Sequence, residues 1–363
     1  MKKDKDIYII GGGFSGCFLA ILLKENDPSL NVHIIEKSHQ ILKKVMITGN
    51  GRCNFANNSA IDSQYNHGEF VNPILEKFNH VDIIKFFSDH GIESKSINDL
   101  IYPYSETALS IFNCLNDLIV KLDIDVHLNE SLIDYDQHYL WTNINKYHYD
   151  DIIFAFGSIA HDKNENALSI YEILKSHHYT MKQLSPSLCP IIVKENTKIL
   201  DGLRHKVYVS IKQKDRLIHD ECGELLFKKD GLSGIVIYNM SSYINRLENK
   251  DNITLHIDFA KGQEVNDYYA YLHPRLAKYL LANKMDIHDA TFTFKGLYPF
   301  IYAQVVSGGI AIENLNRDLS SKLENNIYFI GEAIDVDAIC GGYNIMFALS
   351  SAYTVYEQIK NRD

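Results

Sequence analysis

Apolar residues along this chain fall into three textures. The first is short, unbroken and rich in β-branched residues: Ile7-Tyr8-Ile9-Ile10, Val32-His33-Ile34-Ile35, Ile152-Ile153-Phe154 and Ile327-Tyr328-Phe329-Ile330. Runs apolar on both faces suit the strands of a parallel sheet covered on both sides. The second texture is helical. Ser15 to Glu25 sets Phe18, Leu19, Leu22 and Leu23 on one side, and Pro73 to His90 keeps the same spacing until Gly91, a C-cap signal. Thr107 to Leu122 and Asn344 to Ile359 read the same way. The third texture alternates. Pro186 and Pro190 break the chain, and Val207 to Ile211 and Gly223 to Phe227 then alternate as antiparallel strands do. Residues 241–290 return to helical spacing through Tyr268, Leu272, Leu276, Tyr279 and Leu280, and β-like runs reappear near Thr291 and Ile310.

Three glycine-bearing segments interrupt these runs where chemistry is expected. Gly11-x-Gly13-x-x-Gly16 follows the first strand and opens the first helix, with Ser15 inside it. The first glycine makes the tight turn, the second lets a pyrophosphate approach the backbone, and the third packs helix on strand. The helix N-terminus offers unpaired N–H groups and positive partial charge to phosphate. Glu36, with Lys37 after it, lies ~20 residues further on, where an acid binds a ribose hydroxyl. Strand, helix, second strand and acid in order predict a dinucleotide site, without choosing between FAD and NAD. No second GxGxxG follows a strand, so no second dinucleotide domain is expected.

The second segment is Gly49-Asn50-Gly51-Arg52-Cys53-Asn54, inside a long aperiodic loop over 37–58. Its glycines allow backbone to approach a planar ligand, Arg52 brings a fixed fork of donors, and Asn54 brings donor and acceptor together. The third runs from Gly331-Glu332-x-x-Asp335 to Gly341-Gly342-Tyr343-Asn344-Ile345. A strand ending in a carboxylate suits a ribityl chain. The helix that follows would aim its N-terminus at the pyrimidine end of an isoalloxazine, where reduction accumulates negative charge. A further strand ends at Ala155-Phe156-Gly157.

Composition narrows the reading. Lys and Arg number 36 against 46 Asp and Glu, a formal charge of −10, which favours solubility and offers no global attraction to nucleic acid or anionic membrane. No uncharged stretch approaches the ~20 residues of a membrane span. The short apolar run at the N-terminus does not read as a signal h-region, so a cytoplasmic protein is expected. The six cysteines form no CxxC pair and no zinc spacing, the 16 histidines show no metal spacing, and no metal is expected. Arg52, Cys53 and Tyr343 are the catalytic candidates, with His161 and His205 as further acid–base groups and Lys43 and Lys44 as partners for an anionic substrate.

Together these segments resemble the YhiN/BaiN-like flavoproteins, also called the aminoacetone oxidase family or NAD(P)/FAD-dependent oxidoreductases, along almost the whole chain. The resemblance rests on Gly11–Gly16, the GRCN loop ending at Asn54, Tyr102-Pro103-Tyr104-Ser105 up to Ala108, and Ala155–Ser158. It continues in Pro186-Ser187-Leu188, Gly231–Gly234, Gly308-Gly309-Ile310 and Gly331–Asn344. Ser158, Ile235 and Cys340 depart from the glycine, proline and threonine usual there.

The resemblance implies an α/β fold: a glutathione-reductase-like Rossmann FAD domain with an inserted β-barrel and a helical subdomain. The corresponding boundaries are 1–185 with 307–363 for the discontinuous FAD domain, 186–240 with 291–306 for the β insertion, and 241–290 for the helical part. It implies FAD held by Gly11, Gly13, Ser15, Gly16, Glu36, Lys37, Gly49, Gly51, Arg52, Cys53, Asn54, Ala155, Gly157, Gly331, Glu332, Asp335, Gly342, Tyr343, Asn344 and Ile345. The expected function is an FAD-dependent oxidoreductase acting on a small molecule, with NAD(P)H as a transient electron donor. Rival readings are an amine oxidase, a flavin-dependent RNA uridine reductase, against which the net charge weighs, and a non-catalytic flavin binder.

Overall fold

The computed structural model describes residues 5–161 and 168–362. The chain divides into two compact units. One is built from the chain up to Ile159, the segment ending at Leu184, and everything from Gly308 onward; the other is essentially Ser185–Ser307.

The first unit is organised by a five-stranded parallel sheet. Its strands are β1 (Asp6–Ile10), β2 (Asn31–Glu36), β3 (Asp125–Leu128), β4 (Asp151–Phe154) and β5 (Ile327–Phe329), in the spatial order β5-β4-β1-β2-β3. Ile7, Ile9, Ile34, Ile152, Ile153 and Phe329 are fully buried, which is why these runs carry no polar alternation. Helix α1 (Phe14–Asn26) links β1 to β2. The C-terminal helix α5 (Tyr343–Asn361) packs against α1. The strand order turns back between β1 and β4, so the carboxyl ends of those two strands flank a switch point, the place where open α/β sheets bind ligands.

The stretch read as one helix from Pro73 to His90 is two, α2 (Gly68–Lys77) and α3 (His80–Asp89). Asn79 causes the break. Its side chain accepts from the Val81 N–H at 2.8 Å while Asp82 accepts from the Asn79 N–H at 2.9 Å, a reciprocal cap that starts a new helix. Helix α4 (Ala108–Lys121) begins where Thr107 accepts from the Leu109 N–H.

The second unit is a closed six-stranded barrel of Ile191–Val193, Gly231–Ser233, Arg216–Lys228, Arg204–Gln213, Ile253–Asp258 and Ala290–Leu297, in that circular order. Its core holds Val207, Val209, Ile211, Phe227, Leu255, Ile257 and Phe292, together with Val236, Ile237 and Met240 of the helix Ile235–Asn245. The reading of 241–290 as helical is corrected here, because Ile253–Asp258 is a barrel strand. Ile253, Leu255 and Ile257 are buried and alternate with half-buried neighbours, a period of two that the helical spacing of 268–280 obscured. Within 241–290, helix is confined to the end of Ile235–Asn245 and to Tyr268–Tyr271 and Pro274–Ala282.

Candidate functional site

The turn after β1 is shaped by contact with the neighbouring strand end. Gly11 has φ +117°, and a Cβ there would lie 2.4 Å from the Ala155 carbonyl oxygen, so only glycine lets the β1 and β4 ends close on each other. A Cβ on Gly16 would lie 2.1 Å from the Gly11 oxygen, which makes that residue the packing glycine. Gly13 differs. Its φ is −80°, ordinary for any residue, and a Cβ there would meet nothing within 4 Å. Nothing inside the protein demands glycine at 13; a phosphate seated in the open space above the turn would, because it would leave no room for a Cβ. Gly13 also caps α1 with no side-chain hydrogen bond, and the first turn of α1 holds no acid, so the helix N–H groups are left to a ligand.

Glu36 closes this turn. Its Oε2 accepts from the Gly12 N–H at 2.9 Å and its Oε1 from the Ser38 N–H at 2.7 Å. An ionised carboxylate has about four acceptor positions, so two bonds leave capacity for ribose hydroxyls. Lys37 beside it is exposed.

The GRCN loop turns sharply. Gly49, Asn50 and Gly51 have φ of +54°, +56° and +80°, and Cys53 follows at +55°. A buried non-glycine residue in the left-handed region is costly and persists where the surroundings demand it. Cys53 is fully buried, and burial pushes its thiol up to about 12, so it stays protonated at neutral pH. That argues against the thiolate chemistry for which it was a candidate. Arg52 is ion-paired to Glu106 and lies 4.4 Å above the Tyr102 ring. The Glu106 carboxyl is held below its ordinary range by Lys95 first and by Arg52, so it is ionised at neutral pH. Two buried atoms flanking Cys53 have no hydrogen-bond partner: Arg52 Nε, a donor, and Asn54 Oδ1, an acceptor. Buried polar atoms cost ~1–3 kcal/mol when unpaired. A bound planar heterocycle with both donors and acceptors would satisfy them.

The third segment meets the second. A Cβ on Gly342, whose φ is +88°, would lie 2.6 Å from the Ala56 oxygen and 2.8 Å from Asn54 Oδ1. The α5 N-terminus therefore sits directly against the end of the GRCN loop at Asn54 and Ala56. Gly342, like Gly13, caps its helix with no side-chain bond, and no acid stands in the first turn. Asn57 donates to the Gly341 oxygen at 2.8 Å, Gln64 to the Tyr343 hydroxyl at 2.8 Å, and the Tyr65 hydroxyl to the Tyr343 oxygen at 2.9 Å. Asn344 bonds the Ala338 N–H and C=O at 2.9 and 3.1 Å, bracing the loop before the helix, and Ile345 is half-buried in the first turn.

Gly331 meets the first segment, since a Cβ on it would lie 2.8 Å from Ser15 Oγ. Glu332 Oε2 accepts from Ser158 Oγ at 3.1 Å and lies 3.9 Å from Lys44 Nζ, while Lys44 donates to the Ser158 carbonyl at 2.7 Å. Gly157 adjoins the same carboxylate. Asp335 stands apart. Its carboxylate accepts from the Gly308 N–H at 3.1 Å and lies 3.1 Å from His67 Nε2, so it serves the local framework. His205 is in the barrel, bonded to the Phe259 carbonyl, and His161 is exposed.

Apart from Asp335 and the exposed Lys37, the predicted cofactor residues thus gather at the carboxyl edge of the sheet. Nothing in the local sequence marks Asn57, Gln64 and Tyr65 as supports, and Ser158 stands out there only as a departure from the family's usual glycine.

Residues 5–358 match the HI0933-like protein Rossmann domain. The chain belongs to this family. A 3-dehydro-bile acid delta(4,6)-reductase of Clostridium scindens is 26% identical, the match covering 96% of this chain and 97% of that one. A ribosomal RNA dihydrouridine synthase of Haemophilus influenzae is 24% identical over 97% and 98%. Among solved structures, the 3-ketosteroid delta1-dehydrogenase of Sterolibacterium denitrificans superposes with a TM-score of 0.56 at 10% identity, covering 99% of both chains. The quinol fumarate reductase subunit FrdA of E. coli gives 0.53 at 13%, covering 99% of this chain and 70% of that one. These last two likenesses are of fold. The protein is an FAD-dependent oxidoreductase with a Rossmann-type FAD domain and an inserted barrel. Among the described residues no helix is long and apolar enough to cross a membrane.

Proposed function

We propose that this enzyme reduces a carbon–carbon double bond conjugated to a carbonyl group in a small molecule, with NAD(P)H docking transiently as electron donor. The observation that carries the cofactor part is the pair of uncapped helix N-termini, at Gly13 and at Gly342, the second of them beside Asn54, whose Oδ1 is unpaired as is Arg52 Nε. Gly11 to Gly16 would hold the pyrophosphate and Glu36 the adenosine ribose. Glu332 with Ser158 and Lys44 would hold the ribityl chain, and the GRCN loop with Gly341 to Ile345 the ring. Bound FAD supplies two-electron hydride transfer.

The substrate class rests on the relatives' names. A 3-oxo-Δ4,6 steroid and a uracil ring share an alkene conjugated to a carbonyl, and hydride addition to the far alkene carbon is the step common to both. A small molecule is preferred to RNA because nucleic-acid binding leaves a basic footprint and this chain carries a formal charge of −10. Both named relatives reduce, which favours reduction over amine oxidation. Of the three catalytic candidates, Tyr343 is left as the proton donor, its hydroxyl oriented by the Gln64 amide.

The test is anaerobic. The purified yellow protein is reduced with NADPH or NADH and then mixed separately with cyclic enones and undermodified ribosomal RNA, while the oxidised protein is mixed with primary amines. Reoxidation by enones alone supports the reading. Reoxidation by RNA alone, or reduction of the oxidised protein by amines, overturns it. Tyr343→Phe should slow the enone half-reaction by ~10²-fold and leave reduction by NADPH unchanged.

A further inference from the structure

At the outer edge of the parallel sheet, away from the glycine turns, two histidines share one carboxylate. His33 is on β2, and Asp125 and His127 are on β3; the parallel register sets His33 opposite Asp125 and Ile35 opposite His127. Residues two apart on a strand face the same side, so all three side chains rise from one face. Asp125 Oδ2 is 3.1 Å from His33 Nδ1 and 3.1 Å from His127 Nε2. One ligand atom from each residue lies within 4.8 Å of the others.

We propose that His33, Asp125 and His127 bind one divalent transition-metal ion such as Zn2+, with water completing its coordination.

The spacing fits. Donors ~2.0–2.1 Å from a metal are about 3.3 Å apart at tetrahedral angles and about 2.9 Å apart at right angles, and both nitrogens stand between those limits from Asp125 Oδ2, with the two nitrogens within 4.8 Å of each other. Imidazole and carboxylate are the donors that Zn2+ and its neighbours accept. His127 Nε2 is buried and makes no hydrogen bond; its contact with Asp125 is close but not aligned as one. A metal would satisfy this nitrogen.

The surroundings are built as metal sites are. The second nitrogen of His127, Nδ1, lies 3.5 Å from Glu130 Oε2 and 3.3 Å from the Tyr147 hydroxyl. Glu130 is itself buried and receives bonds from Thr142 and Tyr147. A carboxylate behind a ligating imidazole fixes its tautomer and orientation. Tyr8 stacks on the His33 ring, centroids 4.4 Å apart at 8°. Open positions facing solvent arise from Asp125, whose side chain is 58% exposed.

A second group, Asp6, His148 and Asp150, has comparable spacing but not comparable donors. Asp150 Oδ2 already accepts the Asp6 N–H, and Asp6 Oδ1 accepts the Asn31 amide, both at 2.9 Å. It serves as the internal control. An ion on His33 and His127 would tie edge strand β3 to β2, the strand that ends at Glu36.

The experiment uses the tag-free, full-length, FAD-loaded protein, stripped with chelator and titrated calorimetrically with Zn2+. One equivalent should bind with micromolar or tighter affinity and raise the melting temperature. His33→Ala and His127→Ala should each weaken it ~100-fold or more, Glu130→Gln ~10–100-fold, and His148→Ala not at all. If an alanine variant loses FAD or folds poorly, X-ray absorption of the wild-type zinc complex decides instead. A shell of nitrogen and oxygen with imidazole scattering supports the site, and sulfur at ~2.3 Å overturns it. Absence of a saturable site in the wild-type protein, or affinity unchanged in both histidine variants, also overturns it.

Discussion

Gly13 and Gly16 are three residues apart, yet their glycines answer to different masters. The Cβ position of Gly16 points at the Gly11 carbonyl, 2.1 Å away, and that of Gly13 at open space. Gly16→Val should therefore fail to fold or melt several degrees lower with or without FAD. Gly13→Val should leave the apo-protein's melting temperature near wild type and abolish FAD retention. Thermal melts of apo-protein and flavin content after gel filtration check both halves; a destabilised Gly13→Val apo-protein would contradict the argument. Cysteine reactivity divides the same way. Cys17, Cys53 and Cys189 are buried with thiols pushed up by desolvation, while Cys222 is exposed. Alkylation of native protein at neutral pH followed by peptide mass mapping should find Cys222 modified and those three spared until denaturant is added.

Among the elements, β4 depends on a charge at the far end of the chain. Asp151 begins β4 with a fully buried side chain and is bonded by Arg362, just beyond α5, at 2.6 Å. Burial raises the Asp151 pKa, and Arg362 opposes the rise. Arg362→Met should cost about 2 kcal/mol, less than the ~3–5 of a fully buried pair because Arg362 is partly exposed. A raised carboxyl pKa means that the folded state holds more protons than the unfolded one. Stability from this group is thus greatest at low pH and lost as pH rises through the folded value. Removing Arg362 raises that value further, so the variant's deficit should shrink on acidification from pH 7 towards 4. Urea unfolding across that range measures it; a deficit that grows on acidification would refute the assignment. The cap dividing α2 from α3 makes a smaller claim: Asn79→Ala should cost about 1 kcal/mol.

At the scale of the whole molecule, the inserted unit is a six-stranded antiparallel barrel. Among the described residues there is one parallel sheet, so the structure offers no second doubly wound domain for a nicotinamide dinucleotide. NAD(P)H is then expected to meet FAD without a tight resting complex. Equilibrium dialysis of oxidised, FAD-saturated protein against micromolar NADP+ should show no stoichiometric binding, although NADPH still reduces the flavin. Stoichiometric binding would require a dedicated site.

The local pattern of this chain determined its elements and cofactor class. Unbroken apolar runs became sheet strands because both their faces are covered, and the glycine fingerprint became the tight turn between β1 and α1 because its constraints act within a few residues. Where two periods overlapped, as at Ile253–Asp258, or a cap lay inside a helical run, as at Asn79, local reading failed. Only tertiary structure decided which side chains meet. Arg52 is committed to Glu106, 54 residues away; Tyr343 to Gln64, 279 away; and Asp335 to His67, 268 away. His33 and Asp125 are 92 residues apart, which is why no metal spacing could be read. Each of these meetings follows from the strand order β5-β4-β1-β2-β3 and the packing of helices and loops upon it, and hydrophobic periodicity records which face of an element is buried but not what buries it.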